Sequence, residues 1–557
     1  MFDDQARRFP LSNRLRRLAY LAGYGLLAAA ATVDGPVTAL AQQPVPAEDL
    51  PGVAPAITPD EATTRAALLL LNDAVTVQID GRHHTLLRAL RHLEDRKLTP
   101  LFNGLSTPNR HPALRIHGWL GAAELSASSM LDVEAIAQVR RRDLQAELIG
   151  AALDGDLLDE EALDTLLGWA GLDPAVKLLL ATPRVAAGAF DDQSPGHAAL
   201  LAALDSPAPG QRGLAGLLLH EMGDPRGTAV LDAFTRQAGS TTETVTAMLL
   251  ETAWTHGLRR CGDWALAVAE HDGTAARVEM LALKVAVRFG QAGADRAWSD
   301  RVARAEAAGD VSRRARLALA GLEVAPWLDA ERFETLIADE DALIAKLGRA
   351  GQEVAAFRQD ASGADAVEAA VAKLLESGHP RVWGWAAGYA EETGSSALGR
   401  ILIQRYEPGD PRGRSRRLEA VVNAVQVVLA DTDSTTARFF VEALSAPNAD
   451  ESWQRAVLLG LIRDGSGIAL RIAEQLPEFI DRDTAALVLV LRTQSATPLS
   501  DDDRQTLEQL IQGGVELDDS LRVQTAWAYL DRTGQGPGAI TALLAPGPPT
   551  ADGTRRP

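Results

Sequence analysis

The stretch Gln211–Leu231, QRGLAGLLLHEMGDPRGTAVL, and its counterpart Gln454–Leu470, QRAVLLGLIRDGSGIAL, decide the fold. In each, apolar residues return every three or four positions, the spacing that places them on one face of an α-helix. A short polar turn interrupts the run, and a second run resumes at the same period. Each stretch therefore predicts a helix, a tight turn and a second helix. The turns align as Asp224-x-x-Gly227-x-Ala229 and Asp464-x-x-Gly467-x-Ala469. Glu392-x-x-Ser395-x-Ala397 and Asp531-x-x-Gly534-x-Gly536 fit the same mould. In this alignment the acid accepts from free N–H groups of the incoming helix. The glycine supplies the bend, and the small residue lets the second helix approach its neighbour.

The same pattern extends from about residue 60 to 545. Hairpins without the full turn signature recur at Thr274–Phe289 with Gly293–Ala305, Ser312–Val324 with Asp329–Ile337, and Asp483–Leu491 with Asp501–Gly513. Period-two alternation is nearly absent; its best instance is Ala74–Gly81, AVTVQIDG, too little for a sheet. The hydrophobic fraction of 46% is enough for a large core, and its Ala- and Leu-rich make-up suits packed helices. These features predict an all-α chain of roughly 10 to 12 helical hairpins.

The segments LLLHEMGDPRGTAVL (217–231) and ESGHPRVWGWAAGYAEETGSSALGRIL (376–402) resemble HEAT repeats, especially the short kind of phycobilisome-lyase-like arrays. The resemblance is strongest over 205–236, 375–403 and 443–478 and concerns repeat architecture alone. It implies a right-handed α-solenoid that binds other macromolecules along a concave face. The tetratricopeptide kind ranks second, because no fixed period of about 34 residues carries that family's Trp, Gly, Tyr and Pro positions.

The two ends of the chain read differently. Arg14, Arg16 and Arg17 precede an uncharged stretch, Leu18–Val33, and Ala39-Leu40-Ala41 follows. This positive, apolar, small-x-small order is that of a secretory signal peptide over 1–41, expected to be cleaved after Ala41. The apolar run is shorter than the roughly 20 residues of a permanent membrane helix. Residues 42–60, with Pro44, Pro46, Pro51, Pro55 and Pro59, read as an extended linker. Residues 61–150 then form an N-terminal helical cap region, 151–545 the solenoid, and 546–557 a frayed tail. The mature chain is expected to be soluble outside the cytoplasm, in a bacterial periplasm or secreted.

The net charge of −20 disfavours nucleic acid and anionic lipid as partners. It favours a basic or cation-bearing protein. The single cysteine, Cys261, excludes an intramolecular disulfide and a multi-cysteine zinc site. Arg259 and Arg260 beside it favour the thiolate, but no His or Asn arrangement accompanies it, so a buried structural thiol is expected. His220-Glu221-Met222-Gly223-Asp224 begins like a zinc-protease helix. It lacks the second histidine four residues on, so a repeat turn is expected. His83, His84 and His92, with His111 and His117 downstream, have no spacing that a shared metal requires. Asp159-Glu160-Glu161 and Asp501-Asp502-Asp503 suit helix N-termini. No phosphate loop, dinucleotide fingerprint or nucleophile elbow is present, so no catalytic residue, cofactor or metal is assigned.

Two features remain as candidate partner-binding sites. One is the basic loop DPRGRSRR with Arg412, Arg414, Arg416 and Arg417. The other is the pair Trp383 and Trp385, in a chain with ten Trp against five Tyr. The leading expectation is an exported protein-binding scaffold or adaptor. The alternatives are an envelope enzyme, a glycan lyase or hydrolase centred on residues 60–150, and a glycan-binding module using Trp383 and Trp385.

Overall fold

The computed structural model describes residues 98–511, together with Leu87, Arg91 and Thr525. The exceptions within that range are 109, 111, 126–129, 138, 140–141, 156, 191–193, 237–239, 360–362, 409–412, 432–433, 447–448, 465–466, 478, 480 and 494–499. The expectations for segments 1–41, 42–60, 74–81 and 546–557, and for His83, His84, His92, His111, Arg412 and Asp531, fall outside the described residues. The described residues are all-helical, with no strand among them. They fall into two compact units, Glu160–Asp431 in one and the described parts of 34–159 and 432–557 in the other.

The first unit runs from α5 to α20, taking helix numbers in chain order after four helices of the other unit. Its first helices are α5 (Glu160–Gly168), α6 (Pro174–Ala186), α7 (Pro195–Ala203), α8 (Pro209–Met222), α9 (Pro225–Arg236) and α10 (Ser240–His256). Next come α11 (Cys261–Glu270), α12 (Ala276–Arg288), α13 (Ala294–Ala307) and α14 (Val311–Val324). Two 3₁₀ turns, Ala325–Trp327 and Ala330–Phe333, lead to α15 (Glu334–Ile337). The unit closes with α16 (Ala342–Gln359), α17 (Ala364–Leu375), α18 (Pro380–Thr393), α19 (Ser396–Gln404) and α20 (Arg414–Leu429).

From α6 to α16 every second helix packs on the next, giving a row α6, α8, α10, α12, α14, α16. The intervening helices flank that row. The residue patterns fit these positions. In α8, Leu214, Ala215, Leu217, Leu218 and Leu219 are all buried, as a helix with neighbours on several sides requires. The flanking helix α13 buries one stripe only: Ala294, Ala297, Trp298, Arg301, Val302 and Ala305. Glu279 on α12 ties four helices together. It accepts from Arg301 Nε at 2.9 Å and Arg313 Nη2 at 2.9 Å, while Arg301 Nη2 donates to the Ala269 carbonyl at 2.6 Å. Past α16 the step changes, with α16 packing on α17, α17 on α19, and α18 on α20.

The turns obey a different register from the one read in the sequence. Gly223, not Gly227, makes the bend, in the left-handed region at φ 90°. Asp224 then caps α9, accepting from Arg226 N at 2.9 Å. Gly227 lies inside α9 and is the point of closest approach, where a Cβ would stand 2.3 Å from His220 N and 2.5 Å from Gly216 O. The second turn repeats this order: Gly394 bends at φ 63°, and Ser395 caps α19 by accepting from Leu398 N at 3.2 Å. Ser395, not Glu392, is therefore the counterpart of Asp224. Asp464 ends its own helix rather than standing immediately before the next.

The second unit draws on two chain segments. The earlier one holds α1 (Thr99–Leu105), α2 (Pro112–Leu125), α3 (Val133–Ala137) and α4 (Arg142–Asp154). Its core gathers Leu87, Leu98, Leu101, Phe102, Leu105, Leu114 and Leu125. The later one holds α21 (Ser434–Leu444), α22 (Glu451–Asp464), α23 (Gly467–Gln475), α24 (Arg482–Thr493) and α25 (Asp501–Ile511). There α21 packs on α23 and α22 on α24. Ser500 and Asp503 form a reciprocal cap on α25. Ser500 N donates to Asp503 at 3.0 Å and Asp503 N to the Ser500 hydroxyl at 3.1 Å.

Candidate functional site

The sequence candidates divide between core and surface. Trp383 lies in the first turns of α18, is 2% exposed, and meets Tyr406 edge to face at 6.1 Å. Trp385, two residues on and so pointing the other way round the helix, is half-buried and stacks on Tyr389 at 5.4 Å. The two indoles do not share a plane on which a sugar could lie. Arg417 is 4% exposed and holds α20 to the turn before α18, donating from Nη1 to the Gly378 carbonyl at 3.2 Å. Arg414 is half-buried and Arg416 exposed. His117, 2% exposed, belongs to the interior of α2.

His220 is a junction between helices. Its Nε2 faces two acceptors, Asp263 Oδ1 at 3.0 Å and the Arg260 carbonyl at 3.1 Å, so that nitrogen carries the proton. Nδ1 then accepts from the Thr228 hydroxyl at 2.8 Å. Beside it, Glu221 accepts from the backbone N–H groups of Arg259 at 3.0 Å and Arg260 at 2.8 Å, completing the start of α11. Cys261 is fully buried. Burial, with the Glu221 carboxylate near it, pushes its thiol well up, against the lowering that Arg259 and Arg260 suggest from sequence alone. Among the described residues, no group of three or more His, Cys, Asp or Glu is placed to hold a metal ion.

A surface where two indoles and two cationic side chains converge was not singled out by the sequence. It lies on the row α10, α12, α14. Lys284 and Arg288, one turn apart on α12, share a helix face. Trp254 comes from α10, and Trp327 from the 3₁₀ turn that follows α14. The Arg288 guanidinium stands 4.4 Å from the Trp254 ring, 5.4 Å from Trp327 and 5.6 Å from Phe289. The two indoles meet edge to face at 6.1 Å. Arg288 Nη1 donates to the Trp254 carbonyl at 2.5 Å. Lys284 Nζ lies 5.1 Å from the Trp254 ring and is ion-paired with Glu323.

All four side chains, Trp254, Lys284, Arg288 and Trp327, are half-buried. Burial draws the Arg288 pKa below the usual guanidinium range, and Glu392 on α18 partly offsets this. Chemically the surface offers flat apolar walls and a partly desolvated cation. Such a setting favours planar anions and apolar side chains. Sequence reasoning had two partial signals, the excess of Trp and the Lys284/Arg288 spacing, but nothing to bring three separate elements together.

No protein-family model, no curated protein and no solved structure matches the chain. No helix among the described residues is long and apolar enough to cross a membrane.

Proposed function

We propose that the chain is an exported binding scaffold, a HEAT-like right-handed α-solenoid that holds a protein partner along the row α6 to α16. The observation that carries this reading is the Trp254–Lys284–Arg288–Trp327 surface on that row. Trp and Arg dominate the few residues that supply most of the energy in protein interfaces. Rows of helices in repeat proteins present such residues on extended faces. The pairing of every second helix runs from α6 to α16 and changes after it, so the proposed face is limited to those helices.

Export rests on Arg14, Arg16, Arg17 and the apolar stretch Leu18–Val33, followed by Ala39-Leu40-Ala41. Fractionation with the mass of the recovered chain decides it: a start at Gln42 in the periplasmic or secreted fraction supports export with cleavage, an intact Met1 held in the membrane points to a retained anchor, and an intact Met1 in the cytoplasm contradicts export.

The binding reading is tested by tagging the chain at its C-terminus, cross-linking in the native envelope, and identifying the proteins that co-purify. The wild-type chain should return one or a few reproducible partners, and the Trp254→Ala/Trp327→Ala double variant should lose them. Partners retained in full by a folded double variant would remove this face from the account.

A further inference from the structure

Among the described residues, the Trp254 surface holds one cation, Arg288, with no carboxylate within ion-pair distance. Lys284 is neutralised by Glu323. Arg288 is not: among the described residues its polar contact is the Trp254 carbonyl, taken by Nη1, and no carboxylate comes within ion-pair distance. Among the described residues its Nε and Nη2 have no hydrogen-bond partner, and the side chain is half-buried rather than closed off. A partly desolvated charge without a partner is costly. Aromatic faces offset part of that cost. What stays open is the Nε/Nη2 edge, the fork that receives a carboxylate through two parallel hydrogen bonds.

We propose that Arg288 seats a single carboxylate, the side chain of an Asp or Glu in the protein partner, with an adjoining apolar side chain of that partner lying against Trp254 and Trp327. This rests on the scaffold reading for the existence of the partner and adds the chemistry by which the partner is held.

The surroundings select the ligand. A dianion such as a phosphate monoester meets Glu323 beside the seat and Glu392, which acts electrostatically on Arg288. A polyanion also meets the field of a chain with net charge −20. A cationic ligand finds the Trp254 ring already faced by Arg288 and Lys284. One negative charge with an apolar neighbour is the combination that meets none of these obstacles. A partner basic overall is compatible, provided it carries this one acid at the contact.

The test uses the full chain with its tryptophans replaced by 5-fluorotryptophan, the Trp254 and Trp327 fluorine resonances being assigned by Trp→Phe variants. The probes are the peptides acetyl-Gly-Leu-Glu-Gly-amide and acetyl-Gly-Leu-Gln-Gly-amide, and free glucuronate. The glutamate peptide should shift both resonances saturably, with affinity about tenfold or more above the glutamine peptide, since a charge-assisted pair is replaced by a neutral one. Arg288→Gln should bring that ratio to about one. Arg288→Lys, which keeps the charge but loses the fork, should leave a few-fold preference.

The fluorine signals of the other tryptophans report whether each variant is folded; if Arg288→Gln is not, the wild-type ratio and Arg288→Lys decide. Equal response to the two peptides, no response to either, or a preference surviving in folded Arg288→Gln overturns the proposal. A response to glucuronate matching the glutamate peptide overturns it in favour of an acidic sugar. The scaffold reading fails separately: lost partner capture with the peptide preference intact removes the scaffold and keeps the seat, and the converse removes only the seat.

Discussion

At the scale of the residue, His220 and Asp224 show how one short motif is used. HEMGD looks like the start of a metal helix, yet each polar side chain in it completes a backbone or a neighbouring helix. His220 reaches Thr228, Arg260 and Asp263, and Glu221 reaches the N–H groups of Arg259 and Arg260. That HEMGD lacks the second histidine of a zinc pair was legible from Asp224 standing four residues on. The partners of His220 on α11 were not, because nothing local marks a contact between residues some forty positions apart. His220→Ala should cost about 2–3 kcal/mol in denaturant unfolding, since it removes a buried ring that joins α8 to α9 and α11 and leaves a cavity there. An unchanged midpoint would refute the junction role.

Two other side chains set the acid response. Burial lowers the His256 pKa from 6.5 to about 4. Between those values the unfolded chain takes a proton that the folded chain refuses, so stability falls as pH drops through that window. Asp224 acts lower: the hydrogen bond from Arg226 holds its carboxyl well below the usual carboxylate range. Its contribution is intact above about pH 4 and is lost as acid titrates the unfolded chain first. Melting temperatures of His256→Asn should flatten the higher window and those of Asp224→Asn the lower one. The same variant affecting both windows equally would contradict the assignment.

At the scale of the element, the helical period was readable because Leu, Ala and Val recur on one face over many residues. The turn register was not. The sequence places a glycine three after an acid and assigns it the bend, while the chain bends at the glycine just before the cap. The reason is geometric: the left-handed conformation falls where a helix ends, ahead of the next N-cap. Gly227 is then freed for close approach between α8 and α9. Gly227→Ala should destabilise by about 2 kcal/mol or more, because the added methyl meets backbone atoms of α8 that cannot step aside. Gly384→Ala, in α18 with open space around it, should stabilise by about 0.5–1 kcal/mol. Equal effects of the two in urea unfolding would show that the α8–α9 contact is looser than described.

At the scale of the whole molecule, the sequence carried the helical class and the hairpin rhythm, since both depend on local periodicity. The Trp254 surface stayed hidden because its members come from α10, α12 and the turn after α14. Trp383, conspicuous in sequence, is consumed by packing, whereas Trp254 sits in an unremarkable helix and stays half-open. On the proposed function, the row α6 to α16 holds a protein partner at this surface. The most direct measurement places a photo-cross-linking amino acid at Glu251, one turn before Trp254, and in a second chain at Arg296 on the flanking helix α13. Irradiated in the native envelope, the Glu251 chain should give discrete heavier products that disappear with Trp254→Ala, and the Arg296 chain should give none. Products from both positions alike, or from neither, would contradict the account.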